Sequence, residues 1–432
     1  MTIHSLTIEN LRGFAGKHEI VFRDKNVAAF VGVNGSGKST VLEAVIVALQ
    51  NLVRLSDRRN NNGAYVLSVD DVSKSYLEGS IALTVVLRSD LDARLKISIP
   101  FPDSLSKSVK LDFNNFDDKD WLRNAVVNKL QLPVLSAYEP GLPIEQSEGF
   151  YDEIQEKLGR EQTYFDGFST RIDFTNLTHW LEDLVNIQNS EAVKKRDFDY
   201  ALPAIKAINT GLTSLWEELE NTGYGVGKVE LLVEAFDRTL TFVKNERRLK
   251  FDQLSSGEKL IIGLSLDLMY RCISANGHLD NPLNSTGIVL IDEIELHLHP
   301  RWQANIIKAL TTTFPNIQFI ISTHAPLVIN QLKSEQVFVL RDTKIVPAER
   351  LMQTYGMDIS SVVSLLMGAP TRPKEVESKF DEIKRLLDDP KPANLDRVSE
   401  LLDKLRTIIS PNDLDLIELA NILSIEKSEV DL

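Results

Sequence analysis

Cysteine is nearly absent: the 432 residues contain one, Cys272. That excludes an intramolecular disulfide framework and fits a reducing compartment. No apolar run reaches the length of about 18 residues that a transmembrane helix needs. Met1 to Asn10 carry no basic stretch followed by a long apolar one, as a secretory signal would. A basic surplus is missing too: 48 Lys and Arg stand against 62 Asp and Glu, a formal net charge of −14. That argues against a chain whose main task is to coat nucleic acid nonspecifically, while leaving room for a local basic groove. Internal repeats and low-complexity tracts are also lacking. The composition is that of a cytoplasmic globular chain, 43% hydrophobic and 25% charged, with material for one large domain with appendages or for two.

Residues 3–8 and 18–23 alternate apolar and polar positions and predict two strands about a turn at Gly13 and Gly16. Val27 to Val31 is short and continuously apolar, the pattern of a strand buried on both faces. A glycine-rich loop follows, then a helical pattern from Lys38 to about Val53. Residues 80–101 predict two more strands, and Leu132 to Ala137 another. Arg58 to Gly63, with three consecutive asparagines, reads as an exposed loop. From about Gly149 to Asn221 the pattern turns helical and polar. Trp180 and Trp216 there have apolar neighbours at helical spacing, which core packing explains. Strand patterns return between Lys228 and Phe251. A loop at Leu254 to Glu258, a helix to about Ala275 and a buried strand at Ile288 to Ile291 come next. A helix after Pro300 and a strand at Ile317 to Ser322 complete an alternation that implies a parallel sheet flanked by helices. The expected organisation is an N-terminal lobe at 1–148, a helical insertion at 149–225, a C-terminal lobe at 226–350 and an acidic helical tail at 351–432.

Gly32-Val33-Asn34-Gly35-Ser36-Gly37-Lys38-Ser39 matches G-x-x-x-x-G-K-[ST] between a buried strand and a helix. Its glycines let backbone N–H groups curl toward phosphates, and the helix N-terminus adds a favourable dipole. Lys38 can reach the β- and γ-phosphates of ATP and Ser39 can ligate Mg²⁺. Asn34, Gly35, Ser36, Gly37 and Thr40 complete the expected nucleotide loop. The plain alternative is a tight strand-to-helix turn without a ligand; the length and placement of the pattern weigh against it. About 250 residues on, Gly287-Ile288-Val289-Leu290-Ile291-Asp292-Glu293 is a hydrophobic strand ending in an acidic pair. Asp292 suits the Mg²⁺ shell and Glu293 suits polarising a water. Buried strands often end in Asp or Glu, so the pair takes its meaning from the phosphate loop before it.

Leu254-Ser255-Ser256-Gly257-Glu258 resembles the signature motif of ABC-class ATPases, with Ser256 where the first glycine usually stands and Glu258 where glutamine is common. A helix cap explains the same residues locally. Ile321-Ser322-Thr323-His324-Ala325-Pro326 resembles the segment that carries the switch histidine of that class. Glu295-Leu296-His297-Leu298-His299-Pro300 stands where its D-loop stands; a metal site at the His-x-His is the weaker reading. Four motifs in ABC order imply the P-loop ABC-ATPase fold, a mixed sheet flanked by helices, here with a helical insertion and a helical C-terminal tail. The resemblance implies a homodimer or higher homo-oligomer with two ATPs sandwiched between copies. Ser255 and Gly257 would contact the nucleotide of the other subunit, and Glu293 and His324 would act in hydrolysis.

Arg12, in Asn10-Leu11-Arg12-Gly13-Phe14, resembles an arginine of chromosome-maintenance and recombination ATPases that approaches the phosphates. The E-L-H-L-H-P and S-T-H-A-P wording is similar to the ATPase domains of overcoming-lysogenisation-defect nucleases, whose C-terminal Toprim domain finds no convincing equivalent in the residues that follow the core here. Tyr355-Gly356-Met357-Asp358 and Leu365-Leu366-Met367-Gly368-Ala369-Pro370-Thr371-Arg372-Pro373, followed by acidic helices, resemble the end of Septu-type and retron-associated ATPases. That likeness implies a role in anti-phage defence with a partner HNH nuclease, nucleic acid being met through the complex and no membrane being involved. One departure stands out: the glutamine that ABC ATPases carry after the strand here at Leu132 to Ala137 is missing, and Tyr138-Glu139-Pro140 follows instead. A DNA-clamping repair ATPase, a transporter subunit and an ATP sensor without turnover are the competing readings.

Overall fold

The computed structural model describes residues 1–24, 26–56, 79–88, 93–101, 108–113, 125–140, 144–145, 160, 164, 168, 172–220, 229–233, 240–244 and 247–430. The loop expected at Arg58 to Gly63 and most of 146–171 lie outside them. The chain divides into two compact units, Met1–Val362 and Val363–Leu432.

In the first unit, strands β1 (Thr2–Leu11), β2 (Phe14–Val21), β3 (Val27–Gly32), β4 (Gly79–Arg88), β5 (Ala93–Phe101), β6 (Ser108–Phe113) and β7 (Val134–Tyr138) come from the first third of the chain. A short pair, β8 (Ile144–Glu145) and β9 (Ile172–Asp173), precedes β10 (Glu230–Val233), β11 (Leu240–Lys244) and β12 (Arg247–Lys250). The last four are β13 (Gly287–Ile291), β14 (Ile317–Thr323), β15 (Val337–Arg341) and β16 (Lys344–Pro347). The central sheet has six strands in the order β16-β15-β3-β14-β13-β7. All of its pairings are parallel except β15 with β16, so the sheet is mixed. A second sheet, β2-β1-β4-β5-β6, is antiparallel throughout.

Helix α1 (Lys38–Ser56) is apolar on most of its circumference, with Val41, Leu42, Val45, Val47, Leu49 and Leu52 all buried. A helix apolar on so much of its surface needs cover on more than one side. Its core cluster accordingly draws residues from both large sheets: Leu6 and Ile8 of β1, Phe30 of β3, Leu290 of β13 and Phe338 of β15. Buried Gln318 of β14 ties the sheets together, accepting from Ile3 N at 2.7 Å and donating to Ile3 O at 3.1 Å.

The helical insertion contributes α2 (Phe174–Lys195) and α3 (Pro203–Glu220). Then come α4 (Ser256–Asn276), buried almost all round, and α5 (Pro300–Thr313). Trp216 of α3 is fully buried, edge-to-face with Trp302 of α5, in keeping with its reading as a core residue. The second unit is a three-helix bundle of α6 (Lys374–Leu387), α7 (Pro392–Ile408) and α8 (Leu414–Val430). Its own core runs through Phe380, Ile383, Val398, Leu402, Leu405 and Leu419. Arg372 closes it with paired bonds to Asp413 at 2.9 and 3.0 Å.

Candidate functional site

The phosphate loop sits between β3, buried along its whole length, and the N-terminus of α1. Phe14 supports it from behind: a Cβ on Gly37 would lie 2.7 Å from the Phe14 ring, and the φ of +100° there is itself unfavourable for any side chain. Val33, Asn34, Gly35 and Ser39 are exposed on the loop, and Lys38 is buried at its base. The Lys38 ammonium donates to Gly32 O at 3.1 Å and Val33 O at 3.3 Å. Burial lowers its pKa, while Asp292, Glu293 and Glu295 pull in the other direction.

Asp292 is held from three sides. Its backbone N–H donates to Tyr138 O at 3.0 Å, Ser39 Oγ donates to its Oδ2 at 2.8 Å, and Ser322 Oγ bonds its Oδ1. The same Ser322 hydroxyl accepts from Glu293 N at 2.8 Å. Glu293 has a φ of +51°, so the chain turns sharply out of β13 at the second carboxylate. Non-glycine residues in that region cost of order 1 kcal/mol and cluster at functional sites. His324, half-buried at the end of β14, donates its backbone N–H to Glu295 Oε1. Burial and the Lys38 charge lower the His324 pKa, with Glu295, Glu293 and Asp292 opposing. Lys38, Ser39, Asp292, Glu293 and His324, scattered over 286 sequence positions between the first and the last, thus share one electrostatic neighbourhood.

Arg12, Ser255 and Gly257 are each engaged within the chain. Arg12, with a φ of +48°, forms an ion pair with Glu43 on α1, one turn beyond Ser39. Ser255 caps α4: it accepts from Glu258 N at 3.3 Å, and Glu258 Oε2 accepts from Ser255 N at 3.0 Å. This is the capping box, so the local reading of the signature residues as a helix cap is what the structure shows. Gly257 packs against the D-loop. A Cβ there would come 2.8 Å from His297 O and 3.5 Å from the Trp302 ring. His299 caps α5 through its Nδ1, which accepts from Arg301 N at 3.3 Å. Among the described residues no group of three or more His, Cys, Asp or Glu is placed to hold a metal ion.

Sequence reasoning missed Ser322, Glu295 and Glu139. Ser322 and Glu295 fall within motifs that give them no role of their own, and a serine ending a buried strand carries no signal by itself. Glu139 follows β7 directly and lines a cavity of about 270 Å³ with Ser39, Gln50, Tyr138 and Asp292. The exchange of glutamine for Tyr138-Glu139-Pro140 was the available clue.

The donor set fits a nucleoside triphosphate with its metal. A glycine-lined loop at a helix N-terminus and a buried ammonium suit phosphate oxygens. Mg²⁺ is commonly held by one or two protein oxygens together with substrate phosphates. Ser39 Oγ and Asp292 Oδ2, 2.8 Å apart, are such a pair.

A six-stranded mixed sheet carrying this loop after β3, with an acidic pair at the end of β13 on the far side of β14, defines an ATP-binding domain of the ABC type. The chain matches the RecF/RecN/SMC N terminal domain over residues 2–345 and belongs to that family. The retron Ec83 probable ATPase of Escherichia coli is 28% identical across 99% of this chain and 87% of its own length. The retron Vc95 probable ATPase of Vibrio cholerae serotype O1 biovar El Tor is 28% identical across 79% of this chain and 73% of its own length. The Septu protein PtuA of Bacillus mycoides (strain KBAB4) is 34% identical, over 36% of this chain and 22% of its own length. Among solved structures, the SMC head domain from Thermotoga maritima aligns with a TM-score of 0.43 at 17% identity, covering 80% of this chain and 99% of that one. The family match and the mixed sheet flanked by helices make this an α/β ABC-ATPase fold, and no helix among the described residues is long and apolar enough to cross a membrane.

Proposed function

We propose that this chain hydrolyses ATP at an interface between two of its own copies and that this cycle governs a separate HNH nuclease in anti-phage defence. The observation that carries the hydrolytic reading is the three-way hold on Asp292 by Ser39, Ser322 and the Tyr138 carbonyl, with Glu293 turned out beside it. When bound, Mg²⁺ would supply Lewis-acid polarisation of the phosphates. Ser39 and Asp292 would hold it, and Lys38 would neutralise charge on the β- and γ-phosphates. Glu293 is the general base that orients the attacking water, and His324 faces the terminal phosphate. Glu139 adds a further carboxylate at the edge of the metal position. Ser255 and Gly257, together with the N-terminus of α4, meet the nucleotide of the other copy. Arg12 reaches the phosphates on exchanging its Glu43 partner.

The defence reading draws its support from retron ATPases that match across 79% and 99% of the chain, and from the Septu protein. The α2–α3 hairpin and the Val363–Leu432 bundle are the proposed docking surfaces for the nuclease. Tagged Glu293→Gln protein, purified with ATP from its own host, tests this. A nuclease recovered in near-equal amount, and lost on removing residues 363–432, supports the reading. Recovery of permeases, of repair factors or of no partner sinks it. The family match favours a second reading, a clamp that holds DNA on the dimer. That reading requires salt-sensitive DNA binding by the protein alone.

A further inference from the structure

Asp267 and Arg271 stand four residues apart on α4, a spacing that usually marks a solvated ion pair on a helix surface. Here both are buried, at 6% and 4% exposure. Arg271 Nε donates to Asp267 Oδ2 at 2.7 Å and its Nη2 to Oδ1 at 3.3 Å. The third member is Tyr138, the last residue of β7, whose buried hydroxyl donates to Asp267 Oδ2. Burial raises the Tyr138 pKa, with the Asp267 charge adding to it, so the phenol keeps its proton and remains a donor. Both Asp267 oxygens are bonded within the chain.

Such a network is a poor source of stability, because apolar residues of similar volume often serve as well or better. What it does supply is position. Its two ends lie at functionally different places. Tyr138 accepts Asp292 N through its carbonyl, lines the cavity that contains Ser39 and Asp292, and is followed directly by Glu139. Asp267 and Arg271 belong to the helix whose N-terminus is the Ser255–Gly257 loop. The first half of the same helix also packs on the acidic segment, with Leu260, Ile261 and Leu264 lining a small cavity beside Asp292 and Glu293.

We propose that Tyr138, Asp267 and Arg271 are positioning residues that join the metal end of the ATP site to the signature helix, so that a nucleoside triphosphate held at Lys38 and Ser39 sets the placement of the Ser255–Gly257 loop. The proposal rests on the nucleotide-binding reading above. It makes the network a link between the site a chain fills itself and the site it completes for its partner.

The test is hydrogen exchange followed by mass spectrometry, with and without ATP and Mg²⁺, in full-length Glu293→Gln protein. Two segments are compared: residues 32–42, which report nucleotide at the phosphate loop, and residues 256–266, which report the signature helix. Nucleotide is expected to slow exchange in both. Adding Tyr138→Phe should preserve the slowing at 32–42 and abolish it at 256–266. A second variant, Tyr138→Phe/Asp267→Leu/Arg271→Met, replaces the network with apolar side chains of similar size. It should retain a folded melting transition while showing the same split, which separates positioning from stability. Slowing at 256–266 in either variant equal to that of the parent overturns the proposal. No slowing at 32–42 in the parent is a different failure: it removes the nucleotide-binding reading, and the coupling falls with it.

Discussion

At Ser322 one hydroxyl fixes both members of the acidic pair, bonding the Asp292 carboxylate and accepting from Glu293 N. Ser322→Ala leaves a half-buried carboxylate oxygen and a backbone N–H short of a partner, at a cost of at most about 1–3 kcal/mol each before relaxation. If half of one such loss appears in the transition state, phosphate release slows by roughly 2- to 13-fold. The expected outcome is therefore a drop of about 2- to 13-fold in kcat with a lowered melting temperature, measured by a phosphate assay and by thermal unfolding. A second residue gives a pH signature. Cys272 is fully buried, and burial lifts its thiol from 9.0 to about 12. In the unfolded chain the thiol ionises near its ordinary value while the native thiol stays protonated. The unfolded state then binds fewer protons, and stability falls as pH rises above about 9, by up to about 1.4 kcal/mol per pH unit from this group. Urea titrations between pH 9 and 10.5 should show a steeper loss for wild type than for Cys272→Ala, and at pH 8 the folded thiol should resist a disulfide reagent. Equal slopes would contradict this account of the residue.

At the scale of elements, the legible parts were those whose chemistry is local. Glycine spacing and a buried strand announce the phosphate loop, and the run from Gly287 to Ile291 announces β13 because a strand covered on both faces needs no polar alternation. What stayed hidden depends on which strands and helices become neighbours. Asp267 and Arg271 look like a surface pair until α4 is covered on nearly every side. Ser322 acquires its role only because β13 and β14 pair in register and bring the ends of the two strands together. The antiparallel sheet joins β1 to β4 across a long sequence separation, and β6 was not expected at all. The contact between the α4 cap and the D-loop was equally unreadable. That contact makes a prediction of its own. Gly257→Ala would place a Cβ 2.8 Å from His297 O, a backbone atom with little room to yield. Overpacking of this kind costs about 1–3 kcal/mol. The variant should keep nucleotide binding at the phosphate loop, read by a fluorescent ATP analogue, while losing most of its hydrolysis. Retention of full hydrolysis would show that the Gly257 contact is not part of the working site.

At the scale of the whole molecule, the chain combines an ABC-type ATP-binding unit with a separate helical bundle. The family match ends at residue 345, whereas the likeness to the retron Ec83 ATPase spans 99% of the chain. The ATP-binding unit is thus the part shared with the wide family, and the bundle falls within the part shared with the narrower group. That division is the reason the proposed function assigns hydrolysis to the first unit and nuclease docking partly to the second. The central claim is that the first unit turns over ATP with Glu293 as the base, and it is tested most directly by phosphate release from purified wild-type and Glu293→Gln protein at saturating ATP and Mg²⁺. Loss of a general base typically costs about 10²–10⁴-fold. The account predicts steady release by the wild type and a loss on that scale in the variant, with ATP binding retained. Release by Glu293→Gln at the wild-type rate, or no release by either protein, would contradict it.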